Sequence, residues 1–491
     1  MRLIELADGC LDVPARLCDL EVTGLTSDSR EVQPGFLFVA VKGELTDGHL
    51  YVAKAEAAGA VAVVGDAGLD PVPILATGVN SRRTTSIPYL RVADSRQALA
   101  QLGANFYGSP QDAVTLAGVT GTKGKTTTSW ILECILRSAG KRTALFGTVC
   151  NRVGDEWYPS RNTTPSILEL LSSLQKLVAT GGTHAVLEVS SHGIAQRRIA
   201  NLDFRCGILT NVAPEHLDYH GTFENYVAVK TRFFEEFSKE SYAVLPRDDE
   251  IAARIASRTN AEICWYGADS QDGVDRLRME PGNVTFTWRG CSVRTRLWGL
   301  HNLQNVLAAM TAAECLGLRP DEIAAGVEQA TAPPGRLEEV EHPGDFHVFV
   351  DYAHTDGSLE SVLQTLRDTT QGRLITVFGC GGDRDREKRP RMGRVAERFS
   401  DHVVITSDNP RSEDPIRILD EISAGLETPD DAVLEPDRRE AIGLTVRMAR
   451  QSDVILIAGK GHEDYQELAE GRIPFDDREV AHEFLQERMP L

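Results

Sequence analysis

The sequence lacks any apolar run long enough to form a membrane-spanning helix. None of its stretches approaches the roughly 20 consecutive apolar residues that cross a bilayer. The segment from Met1 to Leu20 also lacks the basic start and apolar centre of a signal peptide. We therefore expect neither membrane insertion nor export.

A disulfide pattern is also absent, and positive charge is in deficit. The nine cysteines are an odd number at irregular spacing with no C-x-x-C pair, which is typical of reduced thiols in a cytoplasmic protein. Seventy-two acidic residues exceed 52 basic ones, and the formal net charge of −20 argues against a general nucleic-acid or anionic-membrane binder. Anionic small ligands would need local basic pockets.

The chain of 491 residues is too long for one hydrophobic core. Roughly 100 to 200 residues per domain predicts about three domains. Changes in pattern place the boundaries near residues 112 and 337, giving segments 1–112, 113–337 and 338–491. The hydrophobic fraction of 42% is ordinary for a soluble globular protein.

A strand, a phosphate loop and a helix are predicted in succession between Ala113 and Gly140. Branched apolar residues up to Val119 indicate a buried parallel strand. Gly121 and Gly124 leave room for backbone N–H groups to approach an anion, and apolar residues from Trp130 onward recur at helical spacing. A phosphate would then lie at the N-terminus of the helix.

The Gly-Lys-Thr ending supplies the chemistry that this loop needs. Lys125 can reach the terminal phosphates of a nucleotide, and the Thr126 hydroxyl can bind Mg²⁺. The common phosphate-loop pattern has glycine where Val119 stands, but neither role depends on it. A glycine-rich turn without a ligand is the alternative.

Strand-like and helical patterns alternate from Ala113 to about Leu337, which predicts a doubly wound, mostly parallel sheet. Ligands of such folds collect at the carboxyl ends of the strands. Glu188 and His216 stand at two such ends, and together with Thr126 they could complete a magnesium site. Taken alone, a strand-end Glu is usually solvated and a single His usually caps a turn.

Residues 338–491 again alternate, with strands predicted at 346–350, 374–378, 403–406 and 454–458. This pattern indicates a smaller Rossmann-like domain, and since G-x-G-x-x-G is missing we infer no dinucleotide. Polar clusters follow these strands and predict one binding surface, at 351–355, 381–385, 407–411 and 459–463.

Several motifs resemble those of the Mur ligases, ATP-dependent enzymes that join an amino acid to a carboxylate. T-G-T-x-G-K-T-T stands at 120–127, E-V-S-S-H-G-x-x-Q-x-R begins at Glu188, and H-L-D-Y-H-G begins at His216. T-x-D-S-R, G-x-L-F-V-A and D-G-H, within residues 26–49, are similar to the uridine-nucleotide domain of the diaminopimelate- and lysine-adding members. Family patterns are broken at Lys123, Glu215 and Asp356, where Asn, Asp and Pro are usual.

The resemblance covers nearly the whole chain and implies a site in each domain. Asn302, which alone would be interpreted as a helix N-cap, becomes an adenine contact, and Arg336 reaches the phosphates. The implied ATP-binding residues are Gly121, Thr122, Lys123, Gly124, Lys125, Thr126, Thr127, Asn302, Asn305 and Asp351. The implied residues for the UDP-linked substrate are Ser27, Ser29, Glu44, Leu45, Thr46, Asn162, Thr163, Thr164, Ser190, Gln196 and Arg198.

The resemblance also changes the interpretation of Lys230, which alone would be an exposed lysine on a helix. The family carries a lysine modified by carbon dioxide at the equivalent place, and its carbamate helps to hold a second Mg²⁺. The implied metal-site residues are Thr126, Glu188, His216 and Lys230, and the implied catalytic residues are Lys125, Lys230, His216 and Arg336.

The implied reaction uses ATP and Mg²⁺ to add meso-diaminopimelate to UDP-N-acetylmuramoyl-L-alanyl-D-glutamate through an acyl phosphate, a step of peptidoglycan synthesis and hence of cell shape and division. D-N-P-R matches the diaminopimelate-adding members, and the implied residues for this amino acid are Arg384, Asp408, Asn409, Pro410, Arg411, Gly459 and Glu463. Taken alone, Arg411 would be a surface arginine ending a turn. The alternatives are a lysine-adding ligase, a folylpolyglutamate synthetase-like ligase, or a non-catalytic protein on a ligase scaffold.

Overall fold

The computed structural model describes residues 1–44, 46–66, 85–280 and 283–488. The chain divides into two compact units. The first contains Met1–Gly267 and Leu307–Gly326, and the second contains Ala268–Val306 and Val327–Leu491. The helices Leu300–Cys315 and Pro320–Gln329 have residues in both units.

The first unit begins with a four-stranded parallel sheet. In the strand Phe36–Ala40, Leu37 and Val39 belong to one apolar cluster, whereas Phe38 and Ala40 belong to another. Because successive side chains of a strand point to opposite faces, this sheet is covered on both sides. The strands, in sheet order, are Gly24–Thr26, Phe36–Ala40, Ala62–Asp66 and Tyr89–Val92.

An eight-stranded sheet forms the rest of the first unit. Thr115–Thr120, the strand before the phosphate loop, lies between two parallel neighbours. The last two strands form an antiparallel hairpin at one edge. The order is Glu262–Tyr266, Tyr242–Pro246, Phe204–Leu209, Thr115–Thr120, His184–Glu188, Thr143–Phe146, Cys150–Val153 and Glu156–Pro159.

Several helices of the first unit begin at polar capping residues. The Asp94 carboxylate accepts hydrogen bonds from the backbone N–H groups of Arg96 and Gln97, at 3.0 Å each. Ser166 and Glu169 form a reciprocal capping box. The α-helices are Leu3–Leu6, Val52–Ala57, Ser95–Tyr107, Lys125–Ser138, Ile167–Ala179, Ser191–Ala195, Leu217–His220, Phe223–Glu235 and Glu250–Ala256.

The second unit contains a six-stranded sheet, which is parallel except for one short edge strand. Its order is Glu338–Glu339, His347–Asp351, Val454–Ala458, Leu374–Phe378, His402–Ile405 and Val433–Leu434. Its helices are Asp356–Thr369, Lys388–Phe399, Pro415–Ser423, Arg438–Met448 and Asp477–Arg488. Two antiparallel sheets accompany it, formed by Val274–Glu280, Asn283–Trp288 and Cys291–Thr295 and by Tyr465–Leu468 and Gly471–Pro474.

The alternation predicted from the sequence is confirmed, and the predicted strands of the last segment lie within one residue of the observed ones. The interpretation of Asn302 as an N-cap is wrong. The helix begins at Leu300, and the Asn302 side chain donates to the Trp298 carbonyl at 2.9 Å. No helix in the described ranges has both the length and the apolar character that a bilayer crossing requires.

Candidate active site

The phosphate loop, residues Gly121–Lys125, connects the buried strand Thr115–Thr120 to the helix Lys125–Ser138. Gly121 has φ +147° and Gly124 has φ +84°, conformations that favour glycine. A Cβ atom on Gly121 would also collide with the Thr210 hydroxyl. The backbone of the loop therefore requires glycine at these two positions.

The end of the neighbouring strand braces this loop. The Thr210 hydroxyl donates to the Lys123 carbonyl at 2.6 Å. Asn211 accepts from the Lys123 N–H at 3.0 Å and donates to the Lys123 carbonyl at 2.9 Å. Thr122 shares a 3.0 Å hydroxyl contact with Tyr226. These bonds fix the backbone conformation of the loop before any ligand binds, which is what a preorganised anion site requires.

Two lysines meet at the carbonyls of the loop. Lys125 Nζ donates to the Gly121 and Thr122 carbonyls at 2.9 and 2.7 Å, and Lys230 Nζ donates to the Gly121 carbonyl at 2.7 Å. Lys230 is only 1% exposed. Burial, followed by the charge of Lys125, holds the pKa of Lys230 well below its usual value. The interpretation of Lys230 as an exposed lysine is wrong, because this face of its helix packs against the loop.

The Glu188 carboxylate contacts the first turn of the loop helix through Thr126. Its side chain is 1% exposed and accepts from the Thr126 hydroxyl at 3.0 Å and from the N–H and hydroxyl of Thr148 at 2.7 and 3.0 Å. The interpretation of Glu188 as a solvated strand end is wrong. A hydroxyl and a carboxylate in contact are oxygen donors of the kind that Mg²⁺ prefers, so Thr126 and Glu188 fit that ion.

His216 makes a different set of contacts. It has φ +54°, its side chain is 48% exposed, and its Nε2 lies 3.8 Å from a Glu215 carboxylate oxygen. Its ring packs edge-on against His192, with the centroids 4.8 Å apart. Within the described ranges, no group of three or more His, Cys, Asp or Glu side chains is arranged to hold a metal ion. The metal role of His216 stays a prediction.

The residues implied for the peptide part of the first substrate form one network. Thr164 lies 3.0 Å from the Ser190 hydroxyl and donates to the Glu188 carbonyl at 2.8 Å. Arg198 donates to the Gln196 side-chain oxygen at 2.6 and 2.9 Å and to the Thr164 carbonyl at 2.9 Å. The network therefore adjoins Glu188, which contacts Thr126.

The network continues to residues that flank the four-stranded sheet. Gln196 donates to the Glu44 carboxylate, and Arg96 donates to the Gln196 carbonyl at 2.9 Å and to the Lys42 carbonyl at 2.7 Å. The sequence analysis missed Arg96, because it lies in an ordinary helix outside every motif.

The other residues implied for the UDP-linked substrate are more scattered. Thr163 contacts the Thr148 hydroxyl at 3.1 Å, and Thr46 donates to the Tyr51 hydroxyl at 3.1 Å. Ser29 is buried, whereas Ser27 and Asn162 are exposed. Leu45 lies outside the described residues.

In the second unit, polar residues at the strand ends form what we call the Asn409 cluster: Asn409, Arg411, Lys460, Glu463 and Glu467. Lys460 is 0% exposed, and its Nζ lies 3.2 Å from both the Asn409 side-chain oxygen and the Glu463 carboxylate. Asn409 donates to Glu463 at 2.8 Å and accepts from the Glu467 N–H at 2.9 Å. Arg411 donates from Nε to Glu467 at 3.0 Å and from Nη1 to the Gly382 carbonyl at 2.8 Å.

Arg411 lies in a turn with 21% of its side chain exposed, and these bonds hold it within the cluster. The sequence analysis missed Lys460 and Glu467, although Lys460 lies in a polar cluster that it recognised. It also missed the fully buried ion pair of Arg438 with Asp477, at 2.7 Å, which braces two strand ends through the Ser407 and Ala458 carbonyls.

The remaining residues predicted for diaminopimelate lie beside this cluster. The backbone carbonyl of Asp408 accepts from Gln466 at 2.9 Å. Gly459 has φ +118°, and a Cβ there would meet the Asp408 carboxylate. Pro410 follows Asn409 directly, and its carbonyl accepts from the Glu413 N–H at 3.1 Å. Arg384 is exposed, and its Nη1 donates to the Asp383 carbonyl at 3.4 Å.

The second unit also contains the residues predicted to complete the nucleotide site. Asp351 accepts from the N–H groups of Leu337 and Ala353 at 2.7 and 2.8 Å. The Arg336 guanidinium lies 4.8 Å from the centroid of the Tyr352 ring, a cation–π distance. Asn302 and Asn305 are buried, and the Asn305 amide donates to Asn302 at 3.3 Å.

Comparison with known proteins gives the family. A glycine-rich loop between a strand and a helix of one sheet, and a polar cluster at the strand ends of another, are features of a doubly wound α/β protein. Family profiles match at residues 21–107 (Mur ligase family, catalytic domain), 119–313 (Mur ligase middle domain) and 335–461 (Mur ligase, glutamate ligase domain). The chain belongs to the Mur ligase family and has its three-domain α/β fold. The boundaries near residues 112 and 337 stay predictions.

Individual relatives agree with this assignment. Proteins of Geobacter metallireducens and Solibacter usitatus, both named UDP-N-acetylmuramoyl-L-alanyl-D-glutamate–2,6-diaminopimelate ligase, are 42% and 41% identical over 94% and 96% of this chain and 93% and 94% of their own. A solved structure of a ligase of that name has a TM-score of 0.71 at 30% identity, with complete coverage (100%) of both chains. The MurF ligase of Thermotoga maritima, solved with ADP, has a TM-score of 0.61 at 22% identity over 96% of this chain and 99% of its own, and shows the fold alone.

Proposed function

We propose that this chain is an ADP-forming ligase that adds meso-diaminopimelate to UDP-N-acetylmuramoyl-L-alanyl-D-glutamate in peptidoglycan synthesis. The observation that carries the proposal is the Asn409 cluster, where the Arg411 guanidinium is joined through Glu467 and Asn409 to the Glu463 carboxylate. The distal centre of diaminopimelate has a carboxylate and an ammonium, so it requires a cation and an anion together. The names of the relatives support the same assignment.

The phosphate loop would bind the triphosphate of ATP. Lys125 would turn from the loop carbonyls to the terminal phosphates, and the backbone of Gly121 to Thr127 would surround them. Thr126 and Glu188 would hold Mg²⁺, which would neutralise part of the charge on the phosphates. Asn302, Asn305, Arg336 and Asp351 would complete the nucleotide site.

The network of Thr164, Ser190, Gln196 and Arg198 would hold the D-glutamate end of the first substrate. Its free carboxylate oxygen would attack the γ-phosphorus, and the bond to the β-phosphate oxygen would break to release ADP. The amine of the incoming amino acid would then attack the acyl phosphate, lose a proton and expel phosphate. Most of the rate enhancement would come from positioning and from fixed charge.

Lys230 is the residue that we propose for modification by carbon dioxide. Only a neutral amine reacts with carbon dioxide, and the lowered pKa of Lys230 makes the neutral form available. The product is a carbamate and a proton, so a neutral amine beside Lys125 becomes an anion. A second Mg²⁺ would be held by that anion together with His216.

The nine cysteines support a cytoplasmic location, because the structure pairs none of them in a disulfide. A cytoplasmic enzyme is also consistent with the use of ATP and of a nucleotide-linked sugar. Membrane attachment is not part of the proposal.

The test is an assay of wild-type protein with ATP, Mg²⁺ and the UDP-linked dipeptide. We expect ADP release and a new amide with meso-diaminopimelate, and much less of both with L-lysine. A preference for L-lysine would contradict the choice of amino acid, whereas ADP release without any amide product would contradict the ligase itself. Growth of a carbon-13 carbamate signal in labelled bicarbonate, lost in Lys230→Ala, tests the modification separately.

A further inference from the structure

Glu467 is the side chain that fixes the position of Arg411. The Arg411 Nε donates to a Glu467 carboxylate oxygen at 3.0 Å, and the Arg411 N–H donates to the Glu467 backbone carbonyl at 2.9 Å. Arg411 has φ +53°, which non-glycine residues seldom adopt. Both its backbone and its guanidinium are thus tied to the strand Tyr465–Leu468.

These bonds leave one edge of the guanidinium for a ligand. Nε is taken by Glu467, and Nη1 donates to the Gly382 carbonyl at 2.8 Å. Nη2 makes no hydrogen bond to any residue in the described ranges. A carboxylate that binds Arg411 in a bidentate fashion needs two neighbouring N–H groups that face it, and the bonds to Glu467 and Gly382 fix the orientation of the planar guanidinium.

Glu467 is itself held in place. Its backbone N–H donates to the Asn409 side-chain oxygen at 2.9 Å, and Arg472, directly opposite on the neighbouring strand, lies 3.5 Å from its second carboxylate oxygen. The side chains of Arg411 and Glu467 are 21% and 28% exposed. A substitution of Glu467 therefore leaves the core of the unit unchanged.

We propose that Glu467 is a positioning residue that determines specificity for an amino acid with a distal carboxylate. The inference rests on the proposed function. Without Glu467, the Arg411 guanidinium is free to rotate away from the geometry that a carboxylate requires. Binding of meso-diaminopimelate then weakens, whereas L-lysine, which has no distal carboxylate, loses nothing.

The test compares Glu467→Ala, Glu467→Gln and, as a matched control, Glu470→Gln from the exposed turn of the same hairpin. We expect Glu467→Ala to raise the KM for meso-diaminopimelate about tenfold, with kcat and the KM values for ATP and the UDP-linked dipeptide within about twofold. The ratio of kcat/KM for meso-diaminopimelate to that for L-lysine falls by the same factor. Glu467→Gln keeps an acceptor for Nε and restores most of the affinity, and Glu470→Gln matches wild type.

A double-mutant cycle separates positioning from an independent contact. Because Glu467 acts through Arg411, adding Glu467→Ala to Arg411→Ala raises the KM for meso-diaminopimelate no further. A full additional increase would overturn the proposal, as would an unchanged or lower KM in Glu467→Ala, or an equal rise in the KM of all three substrates. A wild-type protein that preferred L-lysine would contradict the proposed function itself. Failure of the Glu467 variants alone would overturn only the role of Glu467, so the two failures are distinguishable.

Discussion

The phosphate loop and the Asn409 cluster both lie at the carboxyl ends of parallel strands, but they hold their basic side chains differently. In the loop, Lys125 and Lys230 donate to backbone carbonyls. In the cluster, Arg411 and Lys460 contact the carboxylates of Glu467 and Glu463. The first arrangement suits a polyanion that supplies all the negative charge, and the second suits a ligand that carries both signs.

The largest expected effect is at the loop, where the ligand depends on the protein for its positive charge. We expect Lys125→Ala to lower kcat by about 10³-fold, because the charge that develops on the transferred phosphoryl group loses its nearest side-chain cation. The measurement is ADP release with all substrates present. Lys239→Ala, an exposed lysine of the same unit, is the matched control and should match wild type. If kcat fell less than tenfold in Lys125→Ala, the phosphates of ATP would not bind beside Lys125 in the phosphate loop.

A smaller and more selective effect is expected at the Asn409 cluster. Arg411→Ala should raise the KM for meso-diaminopimelate about 100-fold, because the distal carboxylate loses its bidentate partner. The KM for ATP and the activity with L-lysine should change little, since neither depends on that carboxylate. Steady-state kinetics with each amino acid measures both.

The control for this prediction is Arg398→Ala, since Arg398 is an arginine of the same unit whose side chain is 71% exposed. It should leave all constants unchanged. If Arg411→Ala kept full activity with meso-diaminopimelate, or lost activity with both amino acids equally, the Asn409 cluster would not be the site that binds the distal carboxylate.

Sequence patterns predicted the strands and the loop because they are local. The branched apolar residues between Val114 and Thr120 favour a buried strand by themselves. Gly121 and Gly124 are required by their own positive φ angles. Arg96 and Glu467 could not be found in this way. Arg96 contacts Gln196 and Glu467 contacts Arg411, and both partners are far away along the chain. The residues next to Arg96 and Glu467 in the sequence do not indicate these contacts.

The burial of Lys230 could not be predicted from the local sequence either. The pattern around it predicted a helix, which is confirmed as Phe223–Glu235, but it gave the lysine no reason to lie inside. The spacing of apolar residues along a helix predicts which face is buried. The contact of Lys230 with the Gly121 carbonyl depends in addition on where the sheet places the phosphate loop. A buried amine beside Lys125 therefore had to be observed.

The smallest expected effect follows from that burial and concerns stability. The unfolded chain protonates Lys230 up to a pKa of about 10.4, whereas burial and Lys125 lower the pKa in the folded state. Between these two values the unfolded state binds more protons, so the free energy of unfolding rises with pH and the folded state is penalised at neutral pH. Lys230→Met removes the penalty at nearly equal side-chain length, although it also loses the bond to the Gly121 carbonyl, which is worth about 1 kcal/mol.

We therefore expect Lys230→Met to be inactive yet to melt about 2 to 4 °C higher than wild type at pH 7 in buffer free of carbon dioxide. The difference should narrow as the pH approaches 10, because the unfolded lysine then loses its proton as well. Thermal unfolding across this pH range measures it, with Lys239→Met as the exposed control that should not shift. A variant less stable than wild type at pH 7 would mean that Lys230 is charged and stabilised by the loop carbonyls, and the phosphate loop would then hold two cations rather than one cation and one neutral amine.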